Sequence, residues 1–331
     1  MPTFDIHTQP NHQTGSGDRM VIKNLVFEGG GVKGIAYGGA LLELEAGDHL
    51  KEVTRVGGTS AGAITATLLA MGYTAQEVSD IVARTNFESF ADNTRGVIRD
   101  ALRLIRQFGF NKGDAFRKWI GQLIAERTGN ARITFGEHHR WARDQGFPDL
   151  YVVGTNLSRQ RAEVFSHERD DTRDMEVRQA VRISMSIPLY YRAVRTSEGD
   201  VMVDGGVTWN YPVDLFDQPA YLDGADGGNG HVNPRTLGLR LDSRTEIEHY
   251  KTGADLPTLK IKNIKSYTGA LIGFLMAAAN RVHLSEHDRK RTIFIDTIGV
   301  QTTEFKLSEQ KIAALVASGR KAAQEYLANL A

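Results

Sequence analysis

Two short glycine-rich turns limit what this chain can fold into. The first turn is GGGVKG at residues 29–34, and the second is GTSAG at residues 58–62. Each turn follows a short apolar stretch typical of a buried strand, at residues 21–27 and 53–57, and each opens a stretch typical of a helix. The order strand, helix, strand, helix predicts a parallel sheet with right-handed crossovers.

Ser60 in the second turn is a candidate nucleophile. A serine on a tight turn from strand to helix stands out from the backbone with its hydroxyl at the positive end of the helix, which suits nucleophilic attack. The alternative is structural, with Gly58 and Gly62 only letting strand and helix pack closely and Ser60 capping the helix. The glycine run at residues 29–31 favours catalysis, because its N–H groups can bind an oxygen that becomes negative during acyl transfer. Together the two turns predict a serine hydrolase.

The base that activates Ser60 is predicted to be a carboxylate and not a histidine. An α/β-hydrolase places several strands before the strand that leads to its nucleophile and a histidine late in the chain, whereas only one strand comes before that strand here. Asp204 is the best candidate, because it ends a short apolar strand and is followed by two glycines. Burial would raise the pKa of an aspartate from its usual value of about 3.9 towards that of a useful base. The alternative is an ordinary Asp-Gly turn.

Four blocks of sequence together resemble one family. They are residues 29–34, residues 58–62, SMSIP at residues 184–188 and DGG at residues 204–206. In identity, order and spacing these blocks resemble the patatin-like phospholipases, and the resemblance covers residues 22–216. Each block alone would be weak evidence, whereas the four in this order are highly specific.

The resemblance implies both a fold and a set of site residues. It implies an α/β fold with a three-layer α/β/α core, a mainly parallel central sheet and a helical cap or insertion. It also implies a lipid acyl hydrolase that needs no metal or cofactor and cleaves carboxylic esters of phospholipids or lysophospholipids. The implied site consists of a dyad of Ser60 and Asp204, an oxyanion hole at Gly29, Gly30 and Gly31, and supporting residues Lys33, Gly34, Gly58, Gly62, Gly205 and Gly206.

The composition is that of an ordinary globular chain. Of its 331 residues, 41% are hydrophobic and 24% are charged, which is enough for a substantial core. Three segments are expected, namely a flexible leader at residues 1–21, a patatin-like catalytic core at residues 22–216 and a C-terminal part of the same domain at residues 217–331. The helical cap is predicted from helices near residues 75–84, 96–108 and 113–127.

Charge and cysteine content exclude several classes of protein. Lys+Arg and Asp+Glu both number 40, so the zero net charge gives no sign of a nucleic-acid partner. The absence of cysteine excludes disulfides, thiolate metal sites and a cysteine nucleophile. Residues 1–20 lack a Sec signal pattern, and the longest apolar run is about half of the ~20 residues that a bilayer span needs. We expect a cytoplasmic protein. Peripheral contact with a membrane, export without a Sec signal and an unidentified activator or signal molecule remain open alternatives.

Two other functions remain as alternatives. Gly29, Gly31 and Gly34 also fit the GxGxxG fingerprint of a dinucleotide site, but the second strand ends in glycine rather than in the acidic residue that such a site needs. The chain could also be a patatin-like scaffold that binds lipid or a partner without turnover. Since Ser60 and Asp204 are both present, the sequence does not suggest a loss of activity.

The histidines offer a metal motif that the sequence disfavours. His283, Glu286 and His287 have the spacing of an inverted zinc-protease motif. The adjacent charged run at residues 288–291 instead favours a solvated helix end. His138 and His139 are likewise predicted on a helix surface.

One long helix is predicted over residues 260–289 and contains an apolar run at residues 267–279. Lys265 and Arg281 flank that run, which suits an interfacial segment that delivers the active site to lipid. A buried core helix is the alternative that the sequence favours.

Overall fold

The described part of the chain alternates strands and helices. This computed structural model describes residues 21–92, 108–222, 232–252, 255, 258–262, 264–281 and 285–330. Its strands are β1 (Asn24–Phe27), β2 (Arg55–Thr59), β3 (Gly109–Asn111), β4 (Asp149–Asn156), β5 (Arg161–Phe165), β6 (Leu189–Tyr191), β7 (Val194–Arg195), β8 (Val201–Asp204), β9 (Thr236–Asp242) and β10 (Thr292–Asp296).

The helices are α1 (Ala36–Ala46), α2 (Ala61–Ala70), α3 (Ala75–Arg84), α4 (Asp114–Thr128), α5 (Phe135–Gln145), α6 (Val177–Ser184), α7 (Arg244–Thr252), α8 (Ile264–Arg281), α9 (Glu286–Lys290) and α10 (Glu309–Ala328). Short 3-10 helices occupy Gly31–Ile35, Phe87–Phe90, Gly205–Val207 and Pro219–Tyr221.

Eight of the strands form one mostly parallel sheet. Its order is β10-β9-β1-β2-β4-β8-β7, with β5 also paired to β4. The five strands from β10 to β4 run parallel, whereas β8 and β5 pair with β4 antiparallel. The predicted α/β fold with a mainly parallel central sheet is therefore confirmed. Strands β9 and β10, from the C-terminal part of the chain, extend the same sheet beside β1.

The first strand shows that the sheet is covered on both faces. Leu25 and Phe27 join the main core, to which α1, α2 and α3 also contribute. Val26 faces the other side of the sheet and packs with Tyr151 and Phe216. A parallel strand buried on both faces carries apolar residues in succession rather than in alternation, which explains the consecutive Leu25, Val26 and Phe27.

Strand register brings the second turn and the Asp204 turn to one level of the sheet. Thr59, the last residue of β2, pairs with Val153 on β4. Asp204, the last residue of β8, pairs with the next residue of β4, Gly154. Since Ser60 follows Thr59, the candidate nucleophile and the candidate base leave the sheet at the same height on either side of β4.

The predicted helices before β4 are only partly within the described residues. The helix predicted at residues 75–84 matches α3, and the helix predicted at residues 113–127 matches α4 to within one residue. The helix predicted at residues 96–108 lies almost wholly outside the described residues, so the cap as a unit stays a prediction. The sequence did not predict β3 and β6, which pair as a separate parallel ladder, because strands of three residues carry no periodic signal.

The prediction of one helix over residues 260–289 is wrong. Helix α8 ends at Arg281, and α9 begins separately after Ser285. The Ser285 hydroxyl accepts the amide of Asp288, and the Asp288 carboxylate accepts the amide of Ser285. This reciprocal cap starts a new helix at that point.

Two predictions of exposed polar residues are also wrong in part. His138 is buried rather than on a helix surface, and its Nε2 lies 3.0 Å from the carbonyl oxygen of Ala70. In the run predicted as a solvated helix end, Arg289 and Lys290 are exposed, whereas Asp288 and Arg291 form a buried ion pair of 2.6 Å. The Asp288–Arg291 pair is local in sequence, but its burial, like the contact of His138 with Ala70, depends on tertiary packing that the sequence does not reveal.

The predicted leader at residues 1–21 lies outside the described residues except for Val21. Among the helices that the structure does describe, none combines the length and the apolar character that a bilayer crossing requires.

Candidate active site

Ser60 occupies a strained turn between β2 and α2. Its backbone has φ of 52° and ψ of −121°, a conformation that non-glycine residues adopt rarely and mostly at functional sites. The Ser60 amide donates to Ser184 Oγ at 2.8 Å, and Ser184 Oγ in turn donates to the carbonyl of Val153 at 2.6 Å. Ser184, from the SMSIP block, therefore fixes the turn to β4.

The Ser60 side chain does not serve as a helix cap. Its hydroxyl makes no capping hydrogen bond to α2 and instead lies 3.5 Å from the sulfur of Met185. The purely structural interpretation of this serine thus loses its main support. The flanking glycines do allow close packing, because a Cβ on Gly62 would overlap the carbonyl oxygen of Phe27. Gly34, Gly58, Gly205 and Gly206 also lie in places where an added Cβ would meet neighbouring atoms closely.

Asp204 is buried, and one of its oxygens lacks a hydrogen-bond partner. Oδ1 accepts the amide of Gly206 at 2.8 Å. Oδ2 has no hydrogen bond to any residue of the described ranges. Burial raises the pKa of Asp204 to about 7, against the opposing effects of the Gly206 amide and the Ser60 hydroxyl. The hydroxyl is thus near enough to interact with the carboxylate, while its hydrogen bond points to Met185.

The glycine run at residues 29–31 lies directly beside Ser60. A Cβ built on Gly29 would come within 3.1 Å of the Ser60 Cβ. The Gly29 amide is already used, because it donates to the carbonyl of Asn210 at 3.0 Å. The amides of Gly30 and Gly31 donate to no acceptor among the described residues. Of the three glycines predicted for the oxyanion hole, two therefore have amides available to bind an oxyanion, Gly30 and Gly31.

The backbone at Gly31 explains why this position is glycine. Its φ is 57°, in the left-handed region that favours glycine, and a Cβ there would overlap the carbonyl oxygen of Thr302. The same carbonyl accepts the amide of Val32 at 3.2 Å. The turn is thereby attached to the segment that follows β10.

Lys33 lies against buried acids rather than at the dyad. Its Nζ is 3.5 Å from the carbonyl oxygen of Leu241, and its charge lowers the pKa values of Glu28 and Asp242. Burial nevertheless raises the pKa of Glu28 to about 7 and that of Asp242 above its usual range. Arg240 opposes both shifts and forms a buried ion pair of 3.0 Å with Asp242.

Glu28 and Asn210 position the glycine run, and neither was predicted from the sequence. The Asn210 side-chain amide donates to Glu28 Oε1 and to the carbonyl of Gly29, both at 3.1 Å. Glu28 Oε2 accepts the amide of Leu241 at 2.6 Å. Asn210 thus holds the Gly29 peptide through its side chain and its main chain. A charged residue at the end of a buried apolar strand was the available signal for Glu28.

Helix α8 covers this site, and it is not a buried core helix. Phe274 is 63% exposed and Tyr267 is 53% exposed, whereas Met276 is buried. Leu275 and Met276 line a very small cleft whose wall includes Asp204. The favoured sequence interpretation of residues 267–279 is therefore wrong, since the helix presents large apolar side chains to solvent.

Comparison with known proteins assigns the family. A sequence profile described as "Patatin-like phospholipase" matches residues 25–217, more than half of the chain. The chain belongs to the patatin-like phospholipase family. This assignment replaces the dinucleotide interpretation of the first turn, and it confirms the resemblance carried by the four sequence blocks.

Relatives of this patatin-like protein match it over most of its length. The uncharacterized protein YqhO of Bacillus subtilis (strain 168) is 30% identical over 319 residues, which cover 91% of this chain and 97% of YqhO. The uncharacterized protein R571 of Acanthamoeba polyphaga mimivirus is 29% identical over 318 residues, covering 93% and 95%. The probable lipid hydrolase 463L of Invertebrate iridescent virus 6 is 27% identical over 197 residues, covering 58% and 62%.

Solved structures share the fold at low sequence identity. VipD from Legionella pneumophila has a TM-score of 0.64 and 18% identity, with 93% of this chain and 67% of VipD covered. The ExoU–SpcU complex from Pseudomonas aeruginosa gives a TM-score of 0.54 and 21% identity, with 94% of this chain covered. The chain spans about half of the matched chain in that complex.

We predict that Asp204→Asn stabilises the folded protein at alkaline pH. The pKa of the Asp204 carboxyl is about 7 in the folded protein, whereas the ordinary value, taken here for the unfolded chain, is 3.8. Ionisation therefore opposes folding as pH rises from 3.8 to 7, and the penalty is complete above 7. At about 1.36 kcal/mol per pKa unit, removing the charge gains up to about 4 kcal/mol. Urea unfolding of both proteins at pH 5 and pH 8 measures the gain, which should be larger at pH 8. A variant less stable than the parent at pH 8 would contradict the burial of an ionised carboxylate.

Proposed function

We propose that this protein is a lipid acyl hydrolase of the phospholipase A or lysophospholipase type. Its substrates are phospholipids or lysophospholipids, and the bond that it cleaves is a carboxylic ester. Ser60 is the nucleophile and Asp204 is the base. The observation that carries the proposal is the unpaired Oδ2 of buried Asp204 beside a serine on a strained turn, with two unused amides next to it.

The reaction begins with a rotation of the Ser60 hydroxyl from Met185 to Oδ2 of Asp204. As Oγ bonds to the acyl carbonyl carbon, the hydroxyl proton moves to Oδ2, and the carbonyl electrons move onto oxygen. The amides of Gly30 and Gly31 stabilise that oxyanion. Its collapse breaks the ester C–O bond, and the leaving alcohol takes the proton from Asp204. Water then repeats the sequence on the acyl-enzyme and releases the fatty acid.

The raised pKa of Asp204 makes a carboxylate a workable base. An ordinary aspartate is too weak a base to take a hydroxyl proton, and a catalytic pKa near the operating pH is more effective. Burial supplies this shift without a histidine. The positive end of α2 adjoins Ser60 and favours its developing alkoxide.

Access to the site requires a movement of α8. Ser60 is fully buried and Asp204 is 2% exposed, so an ester carbonyl has no route to Oγ in this arrangement. The side chains over the cleft come from α8, and the outer face of that helix carries Tyr267, Leu271 and Phe274. This outer face supports peripheral contact with a lipid surface, where the apolar side chains would insert as the helix moves aside.

Ser60→Ala and Asp204→Asn should each lower ester hydrolysis by on the order of 10³-fold or more, because they remove the nucleophile and the base. The measurement is the release of fatty acid from mixed phospholipid and lysophospholipid vesicles, followed by mass spectrometry. Ser89→Ala and Asp144→Asn change exposed residues of the same types and should retain activity. Vesicle binding without hydrolysis by the unmodified protein would instead support the non-catalytic scaffold.

The pH profile should report the ionisation of Asp204. The base must be ionised, so kcat/KM should fall about tenfold per pH unit below a pKa of about 7 and level off above it. Glu28 has a raised pKa of about 7 as well. The profile of Glu28→Gln separates the two groups, because an inflection that belongs to Asp204 persists in this variant. An inflection that disappears would assign the titration to Glu28.

Phe274→Asp should weaken hydrolysis of vesicle lipid more than hydrolysis of a soluble short-chain ester. A charge on the exposed face of α8 opposes insertion into lipid but leaves the cleft side of the helix unchanged. The measurement is the ratio of the two rates, and we expect it to fall at least severalfold. Leu330→Asp places the same charge at another exposed apolar position, 47% exposed, and should leave the ratio unchanged. If both variants lowered this ratio equally, the proposed contact of α8 with a lipid surface would be contradicted.

A further inference from the structure

Two imidazoles and a carboxylate meet at the opposite end of β4 from the candidate active site. They belong to His139 on α5, Asp149 at the start of β4 and His167 just after β5. One ligand atom from each of the three lies within 4.8 Å of the other two. The proposed hydrolysis uses none of these residues, and the sequence predicted His139 only on a helix surface.

Asp149 is the centre of this cluster. One of its carboxylate oxygens, Oδ1, lies 2.7 Å from Nδ1 of His139 and 3.7 Å from Nδ1 of His167. Both imidazoles therefore turn the same ring nitrogen towards one oxygen. Converging nitrogen and oxygen donors from three separate elements are the usual composition of a protein metal site.

The backbone around the three donors is well anchored. The Asp149 amide donates to the carbonyl of Thr54 at 2.9 Å. Arg173 Nε donates to the carbonyl of His167 at 3.0 Å. On α5, the residue before His139 is buried with its ring against the carbonyl of Ala70. The fold thus anchors the backbone beside each donor, and the contact of 2.7 Å between His139 and Asp149 joins two of the side chains.

The two imidazole rings are stacked, which sets a condition on metal binding. Their centroids are 3.8 Å apart and their planes differ by 4°. A metal lies in the plane of each imidazole that binds it, so parallel rings cannot both bind one ion. The stack must open, and the His139 side chain, 33% exposed, has room to rotate.

We propose that His139, Asp149 and His167 form a binding site for a late first-row divalent transition metal ion such as Zn²⁺. Two nitrogen donors and one carboxylate suit this class better than Mg²⁺ or Ca²⁺, which prefer oxygen ligands throughout. Water completes the coordination from the solvent side. The ion would join α5 to the ends of β4 and β5.

The site is structural rather than catalytic. Asp149 precedes Gly154, the partner of Asp204, by five residues of β4. At about 3.3 Å per residue, the two sites are roughly 16 Å apart. Metal binding therefore stands or fails independently of the proposed ester hydrolysis.

The test uses the full chain without a histidine tag, after dialysis against a chelator, at pH 7.5. Titration calorimetry and elemental analysis should show one Zn²⁺ bound per chain, and thermal unfolding should shift up by a few degrees in its presence. Ca²⁺ and Mg²⁺ at the same concentration should give no shift. His139→Ala and His167→Gln should each lose the binding and the shift.

His287→Ala is the matched control, because it removes an exposed histidine from α9. This variant should bind Zn²⁺ like the unmodified protein. Circular dichroism without metal establishes that each variant is folded, and His167→Gln carries the test if His139→Ala does not fold. Absence of binding by the unmodified protein, or undiminished binding by the folded cluster variants, would overturn the proposal.

Discussion

The unpaired carboxylate oxygen of Asp204 is the feature on which the rest of the candidate site depends. A second hydrogen bond from the protein, or free access of water, would stabilise the charge and return the pKa towards its usual value. The close approach of the Gly205 turn to β4 and the cover of α8 prevent both. Among the described residues, the Gly206 amide donates to this carboxylate, and the Ser60 hydroxyl is the other group that lowers its pKa.

The same end of the sheet contains two further buried acids, so the site lowers the stability of the folded protein. Glu28 and Asp242 both have raised pKa values because burial outweighs the nearby positive charge of Arg240. The hydrogen bonds that Glu28 accepts from Asn210 and from the Leu241 amide offset part of the free-energy penalty of its burial. These bonds fix the strand end from which the glycine run begins, and they leave the amides of that run free to bind a developing charge.

The sequence was informative where function depends on local spacing. Ser60, Asp204 and the glycine run were predicted because each lies in a short motif at a strand end, and the parallel sheet followed from the order of those strands. Asn210 was missed, and the contact of Ser184 with Ser60 was not predicted, because each partner lies more than 100 residues away. The burial of His138 and of α8 was predicted wrongly for a related reason, because the composition of a helix does not show which of its faces packs against the rest of the protein. The metal-ligand cluster likewise joins residues that only the sheet brings together.

On the proposed function, the site has to exclude water and still admit a lipid. Water excluded from Asp204 maintains the raised pKa, whereas the buried position of Ser60 blocks every substrate. A polar cover that moved aside would admit water with the substrate. Helix α8 is apolar on its outer face as well as over the cleft, so its displacement at a lipid surface exchanges one apolar contact for another. The acyl chain can then replace Leu275 and Met276 over the carboxylate, which keeps bulk water away from the base while the water molecule that hydrolyses the acyl-enzyme enters.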